Sequence, residues 1–370
     1  MHKRRLPLMA LTFLALLVGM WAGLVRLGWN LPTLRPTWPV AHGPLMVGGF
    51  LGTLISLERA VALNRPPAYV APVLSALGAL ALLVGLPLQV AALFLTLGSA
   101  GLVLVSVEIV RRQPALFTLT LGLGALAWLV GNLLWALGWP LPALVGWWGA
   151  FLVLTIVGER LELSRLLHLS AWGQRAFALA VGLYVLGLAL SVVDINVGVR
   201  VTGAGQLALA AWLARYDIAR RTVRQVGLTR FIALCLLLGY AWLAVAGVLG
   251  VWYGGVTSGP GYDAMLHAVF LGFVFSMIFG HAPIIFPAVT GIPMTFSPRF
   301  YLHLALLHFS VLVRVVGGAV NVASWRQLGG LLNALAIVLF LANTVMAVRA
   351  TRRLSSQGAN RGQSAEGVSR

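Results

Sequence analysis

Residues 7–29 read PLMALTFLALLVGMWAGLVRLGW, an apolar run interrupted near its end by Arg26. Folded as a helix, a run of this length crosses a hydrocarbon core ~30 Å thick, where each backbone polar group must find its partner within the protein. It follows the basic start Met1-His2-Lys3-Arg4-Arg5. The run is too long for the apolar region of a signal peptide, and its Ala/Gly-rich end reads as helix and not as a cleavage site, so a retained span is expected.

Comparable runs recur near 42–63, 69–88, 90–111, 115–138, 141–165, 172–193, 196–216, 229–252, 264–287, 299–321 and 326–349. With 60% hydrophobic and 9% charged residues and a mean hydropathy of +0.95, a soluble domain is excluded. The sequence predicts an all-α polytopic membrane protein of about twelve transmembrane helices, a single domain over residues 1–353. The polar, Gly-containing stretch 354–370 reads as a disordered tail. Cys235 is the single cysteine, which excludes a disulfide framework and a cysteine metal cluster.

The net charge of +18 does not indicate nucleic acid, because the basic residues sit in short loops between spans. With the N-terminus in the cytoplasm, Arg59, Arg65, Arg111, Arg112, Arg160, Arg220, Arg221, Arg224, Arg299 and Arg352 share one side, whereas the other holds little more than Arg35, Arg200 and Arg326. That asymmetry is the positive-inside rule. It places both termini in the cytoplasm, and the expected location is a bacterial-type inner (plasma) membrane with the lipid bilayer as first partner. His2 and His168 read as solvated residues on the cytoplasmic side.

An internal repeat is expected as well. The fourth, eighth and twelfth runs end in Glu108-Ile109-Val110-Arg111-Arg112, Asp217-Ile218-Ala219-Arg220-Arg221 and Arg349-Ala350-Thr351-Arg352-Arg353. In the second, sixth and tenth runs Phe50, Phe151 and Phe273 each lie eight residues before Glu58, Glu159 and His281. Three four-helix pseudo-repeats, about 1–112, 113–225 and 226–353, account for both patterns.

Ionisable residues at membrane depth are costly and mark candidate sites. His42 lies 16 residues before Glu58 and His267 lies 14 before His281, so their depths differ by about 3 Å at the helical rise. Two imidazoles at one depth on two helices suit the axial ligands of a haem; the plainer reading makes each a hydrogen-bonded interfacial residue. Arg314, in the outer half of the eleventh run, and Arg26 are natural partners for haem propionates, although Arg26 can equally snorkel. His281, His303 and His308 form a second group nearer the cytoplasm. A metal or proton site is one reading of it, and a structural hydrogen bond at a helix interrupted by Pro283 and Pro287 is the other.

The run Ala41-His42-Gly43-Pro44-Leu45-Met46 resembles the second helix of the catalytic subunit I of haem-copper oxidases, where His-Gly-x-x-Met carries a low-spin haem ligand. His267-Ala268-Val269-Phe270-Leu271-Gly272-Phe273, continuing to Ser276-Met277-Ile278-Phe279-Gly280, is similar to the tenth helix of the cbb-type oxidases and of the NnrS family. NnrS proteins are twelve-span relatives described as containing haem and copper and linked to nitric oxide metabolism. The resemblance implies a low-spin haem b held by His42 and His267, with Met46 in the second-span motif.

Departures from the pattern limit what is carried over. Met265 stands where the high-spin haem ligand of the oxidases would fall, and the sixth and seventh runs lack histidine. No oxidase-like binuclear centre is therefore expected, and copper is left open. Electron transfer, with quinol or a membrane redox protein as donor, or nitric oxide and respiratory-stress metabolism, are the implied roles. The competing expectation is a polytopic transporter or permease without haem, suggested by the prolines beside His281 and opposed by the position of Glu58, Glu108, Glu159 and Asp217 at cytoplasmic ends. A structural partner of a respiratory complex is a third.

Overall fold

The structure, a computed structural model, describes residues 5–164 and 169–368, with side chains described through residue 351. His2 and His168 lie outside the described residues. Twelve helices are long and apolar enough to cross a membrane: Leu6–Arg26, Trp38–Leu63, Pro66–Val84, Leu88–Arg112, Leu116–Ala136, Leu141–Ser164, Ala171–Leu190, Ile195–Tyr216, Gly227–Tyr253, Gly259–Thr290, Phe300–Ala319 and Ala323–Thr351. The last helix runs on to Val368. No strand occurs among the described residues, and the chain is an all-α polytopic membrane protein.

Successive spans pack side by side around the bundle, and the first touches the twelfth. The second, sixth and tenth spans lie inside, with 67%, 61% and 61% of their apolar windows buried against at most 56% in any other. The tenth contacts both the second and the sixth, and the Arg59–Glu159 ion pair joins the second to the sixth. Phe50, Phe151 and Phe273 are all buried. Outward faces carry exposed leucines such as Leu104 and Leu179, 72% and 69% exposed, as lipid contact requires.

Glycine sets how closely helices approach, since lipid-embedded helices associate through packing and not through a hydrophobic force. At the crossing of the eighth and ninth spans, a Cβ on Gly203 would lie 2.7 Å from the Gly247 carbonyl oxygen. Buried polar side chains add fixed points. Asn132 donates to the Leu95 carbonyl at 3.1 Å and accepts from the Trp148 indole N–H at 3.0 Å, joining the fourth, fifth and sixth spans.

Three features depart from expectation. The second and tenth spans begin at Trp38 and Gly259, before the expected 42 and 264; the tenth thereby takes in Asp263, a charge that hydropathy alone places outside an apolar run. Pro283 and Pro287 do not interrupt their helix, which continues to Thr290, because neighbouring helices and small local adjustments tolerate proline within membrane spans. Both inner spans also contain a π-helical stretch, Leu45–Gly52 and Ala268–Phe275, which apolar periodicity does not signal.

Candidate functional site

His42 sits in the α-helical turn just before the first π-helical stretch, and His267 is the last α-helical residue before the second. A π-turn shifts every following side chain around the helix axis and is found frequently at functional sites. The two histidines line one cavity of about 480 Å³ near the ends of the second and tenth spans, opposite the arginine-rich end of the bundle. Arg26, Met46 and Arg314 line it too, with an apolar wall that includes Val47, Leu51, Phe270 and Phe275. The volume lies within the ~300–1,000 Å³ usual for cofactor and small-molecule sites.

The histidines present themselves in the same way. His42 Nδ1 lies 2.7 Å from the Gly19 carbonyl oxygen, and His267 Nδ1 lies 2.8 Å from that of Asp263. A carbonyl only accepts, so each Nδ1 carries a hydrogen, and in the neutral form of each ring the lone pair is on Nε2. A histidine that donates from one nitrogen and ligates through the other is the usual metal-site arrangement. On the first span, glycine makes room for this. A Cβ on Gly23 would stand 2.8 Å from His42 Cε1, and one on Gly19 would stand 2.8 Å from Met46 Sδ.

Asp263 is the residue that sequence reasoning missed. Its carboxylate lies 3.2 Å from His267 Nδ1 and accepts two hydrogen bonds from Arg314, Nε to Oδ2 at 2.9 Å and Nη2 to Oδ1 at 2.7 Å. Arg314, expected beside haem propionates, is thus engaged chiefly by protein, and Nη1 makes no hydrogen bond among the described residues. Arg26 is exposed and donates to the Pro39 carbonyl at 3.3 Å. The readable signal was the i, i+4 spacing of Asp263 and His267, which puts them on one helix face.

The second group does not converge. Among the described residues no three His, Cys, Asp or Glu side chains are placed to hold a metal ion. His308 Nδ1 accepts from the Trp242 indole at 2.9 Å, so its Nε2 carries the hydrogen and faces Ser276 Oγ at 3.3 Å; no lone pair is left for a metal. His303 Nδ1 accepts from Asn343 Nδ2 at 3.0 Å, and its ring stands edge-on to Phe279 at 4.8 Å. Only His281, whose Nδ1 lies 2.7 Å from the Met277 carbonyl oxygen, keeps Nε2 available. Of the two readings of this group, hydrogen bonding is the one seen for His303 and His308: among the described residues the three histidines form no metal-holding group, and packing against the ninth and twelfth spans occupies two of the three rings.

The arginine-rich end carries a buried charge layer. Arg160 donates to Asp217 from Nε at 2.7 Å and Nη2 at 3.0 Å, with both side chains almost fully enclosed. Arg59 pairs with Glu159 beside it. These bonds join different helices.

A family profile matches residues 5–349, almost the whole bundle. The chain belongs to the family described as a domain of unknown function (DUF8744). This DUF8744 chain matches no curated protein.

Proposed function

We propose that this protein holds a haem b between the second and tenth spans, with His42 and His267 as iron ligands, and serves electron transfer or nitric oxide and respiratory-stress metabolism. The observation that carries the reading is that two imidazoles from distant parts of the chain line one cavity, each with Nδ1 bound to a backbone carbonyl and Nε2 available. The residues present fit the group. The apolar wall suits a porphyrin face, Gly23 admits the His42 ring, and the π-helical stretches begin at or next to the histidine turns. A bound haem would supply one-electron chemistry. The protein's part is to fix both rings through Gly19 and Asp263 and to keep a charged pair at the cavity edge.

Similarity of the two motifs to haem-copper oxidases and NnrS proteins motivates the same assignment, and the proposal includes a threefold repeat and a bacterial-type inner membrane with cytoplasmic termini. The absence of histidine from the sixth and seventh spans argues against oxygen reduction. Quinol or a membrane redox protein is the donor class that fits a cavity at a membrane boundary. One observation favours the rival transporter reading, namely that Asp263 is an acid well away from the arginine-rich end, facing a cavity large enough for a small solute.

A pyridine haemochrome assay and an optical spectrum of the detergent-purified protein distinguish the two. Stoichiometric haem b, lost in the His42→Ala/His267→Ala variant, is expected. A colourless protein, or unchanged haem content in the folded double variant, overturns the proposal.

A further inference from the structure

We propose that the arginine-rich end of the seventh and eighth spans binds a phosphate group, presented by the headgroup of an anionic phospholipid. A cavity of about 650 Å³ opens there, lined by Arg215, Arg220, Arg221 and Arg224 with Ser170 and Tyr216. Its one acid, Asp217, is buried and bound by Arg160, so it does not offset the four guanidinium groups. Three other arginines at this end have acidic partners: Arg59 has Glu159, and Arg65 and Arg112 share Glu108. The side chains of Arg221 and Arg224 make no hydrogen bond or ion pair among the described residues.

Two of the four arginines are held in place. Arg220 Nη1 donates to the Arg215 carbonyl at 2.8 Å, and the Arg215 guanidinium lies over the Tyr216 ring at 5.4 Å. Ser170 caps the seventh-span helix by accepting the Gly173 N–H at 3.2 Å. The cavity therefore adjoins a helix N-terminus, whose unpaired N–H groups and dipole favour an anion. Planar guanidinium forks match phosphate oxygens.

Position selects the lipid as source. The cavity lies where two apolar spans end, and Trp172, in the first turn of the seventh span, is 67% exposed, as suits the headgroup region. Basic pockets between spans at this level bind anionic headgroups.

The test titrates the full-length protein in detergent with phosphatidylglycerol, phosphatidylcholine or inorganic phosphate and counts retained ligand by native mass spectrometry. Phosphatidylglycerol is expected to bind in preference to phosphatidylcholine. Arg221→Gln/Arg224→Gln, which removes no side-chain bond among the described residues, weakens that binding about thirty-fold, whereas Arg111→Gln/Arg230→Gln, with the same charge change outside the cavity, alters it less than twofold. Inorganic phosphate binding with the same arginine dependence would keep the phosphate site and overturn the lipid as its source. Equal losses in the two variants, or equal binding of both lipids, would overturn the proposal entirely.

Discussion

Arg314 and Asp263 form a two-pronged ion pair across the tenth and eleventh spans, with distances of 2.9 and 2.7 Å, and the same carboxylate lies 3.2 Å from His267 Nδ1. The pair explains how a span can contain an aspartate: the charge is met inside the bundle and not in lipid. Removing one partner strands the other. Arg314→Met is expected to destabilise the detergent-solubilised protein by about 3–5 kcal/mol, whereas Asp263→Leu/Arg314→Met recovers much of that loss. Thermal unfolding followed by size-exclusion chromatography reads the difference. A double variant no more stable than the single one would show that the pair is not the cause.

Gly23 offers a test of the cavity that leaves both histidines in place. A Cβ there would stand 2.8 Å from His42 Cε1 and 3.0 Å from Nδ1, so the imidazole must swing away and lose the Gly19 carbonyl. Gly23→Val is expected to lower haem content severalfold with little change in helicity. Gly182→Ala, where nothing lies within 4 Å of the added Cβ, serves as the control and leaves the haem content unchanged. Full haem loading in Gly23→Val would detach His42 from the cofactor.

The spans were readable because apolar length alone fixes membrane helices, and His42 and His267 were readable because imidazole is rare at that depth. Asp263 was not, since hydropathy places a charge outside a span until its partner is known, and Arg314 lies 51 residues away. The π-helical stretches after His42 and His267 were hidden for a different reason. They run through segments buried on nearly every side, where no polar face reveals the period. His308 looked like a ligand in sequence because only packing brings Trp242 and Ser276 onto its two nitrogens.

That arrangement leads to a prediction about metal content. His308→Gln and His303→Gln remove rings whose nitrogens are occupied or enclosed by aromatic side chains, so neither change is expected to alter bound copper or haem. Stability should fall by about 1 kcal/mol in each, the scale of one lost hydrogen bond. Metal analysis by inductively coupled plasma mass spectrometry on purified variants decides the matter. A stoichiometric metal lost with either histidine would mean that the rings rearrange to ligate.

Close packing should outweigh hydrogen bonding in holding the bundle together. Trp148→Phe removes the indole donor to Asn132, and a bond of this kind between membrane helices averages only about 0.6 kcal/mol. Gly203→Ala adds a single methyl, but it would lie 2.7 Å from the Gly247 oxygen and 2.8 Å from the Val251 nitrogen. Backbone atoms cannot rotate aside, so the eighth and ninth spans must separate, at a cost of about 1–3 kcal/mol. Thermal midpoints in one detergent should therefore rank wild type above Trp148→Phe and Trp148→Phe above Gly203→Ala. The reverse order would mean that the Asn132 bridge, and not the glycine crossing, sets the stability of the fold.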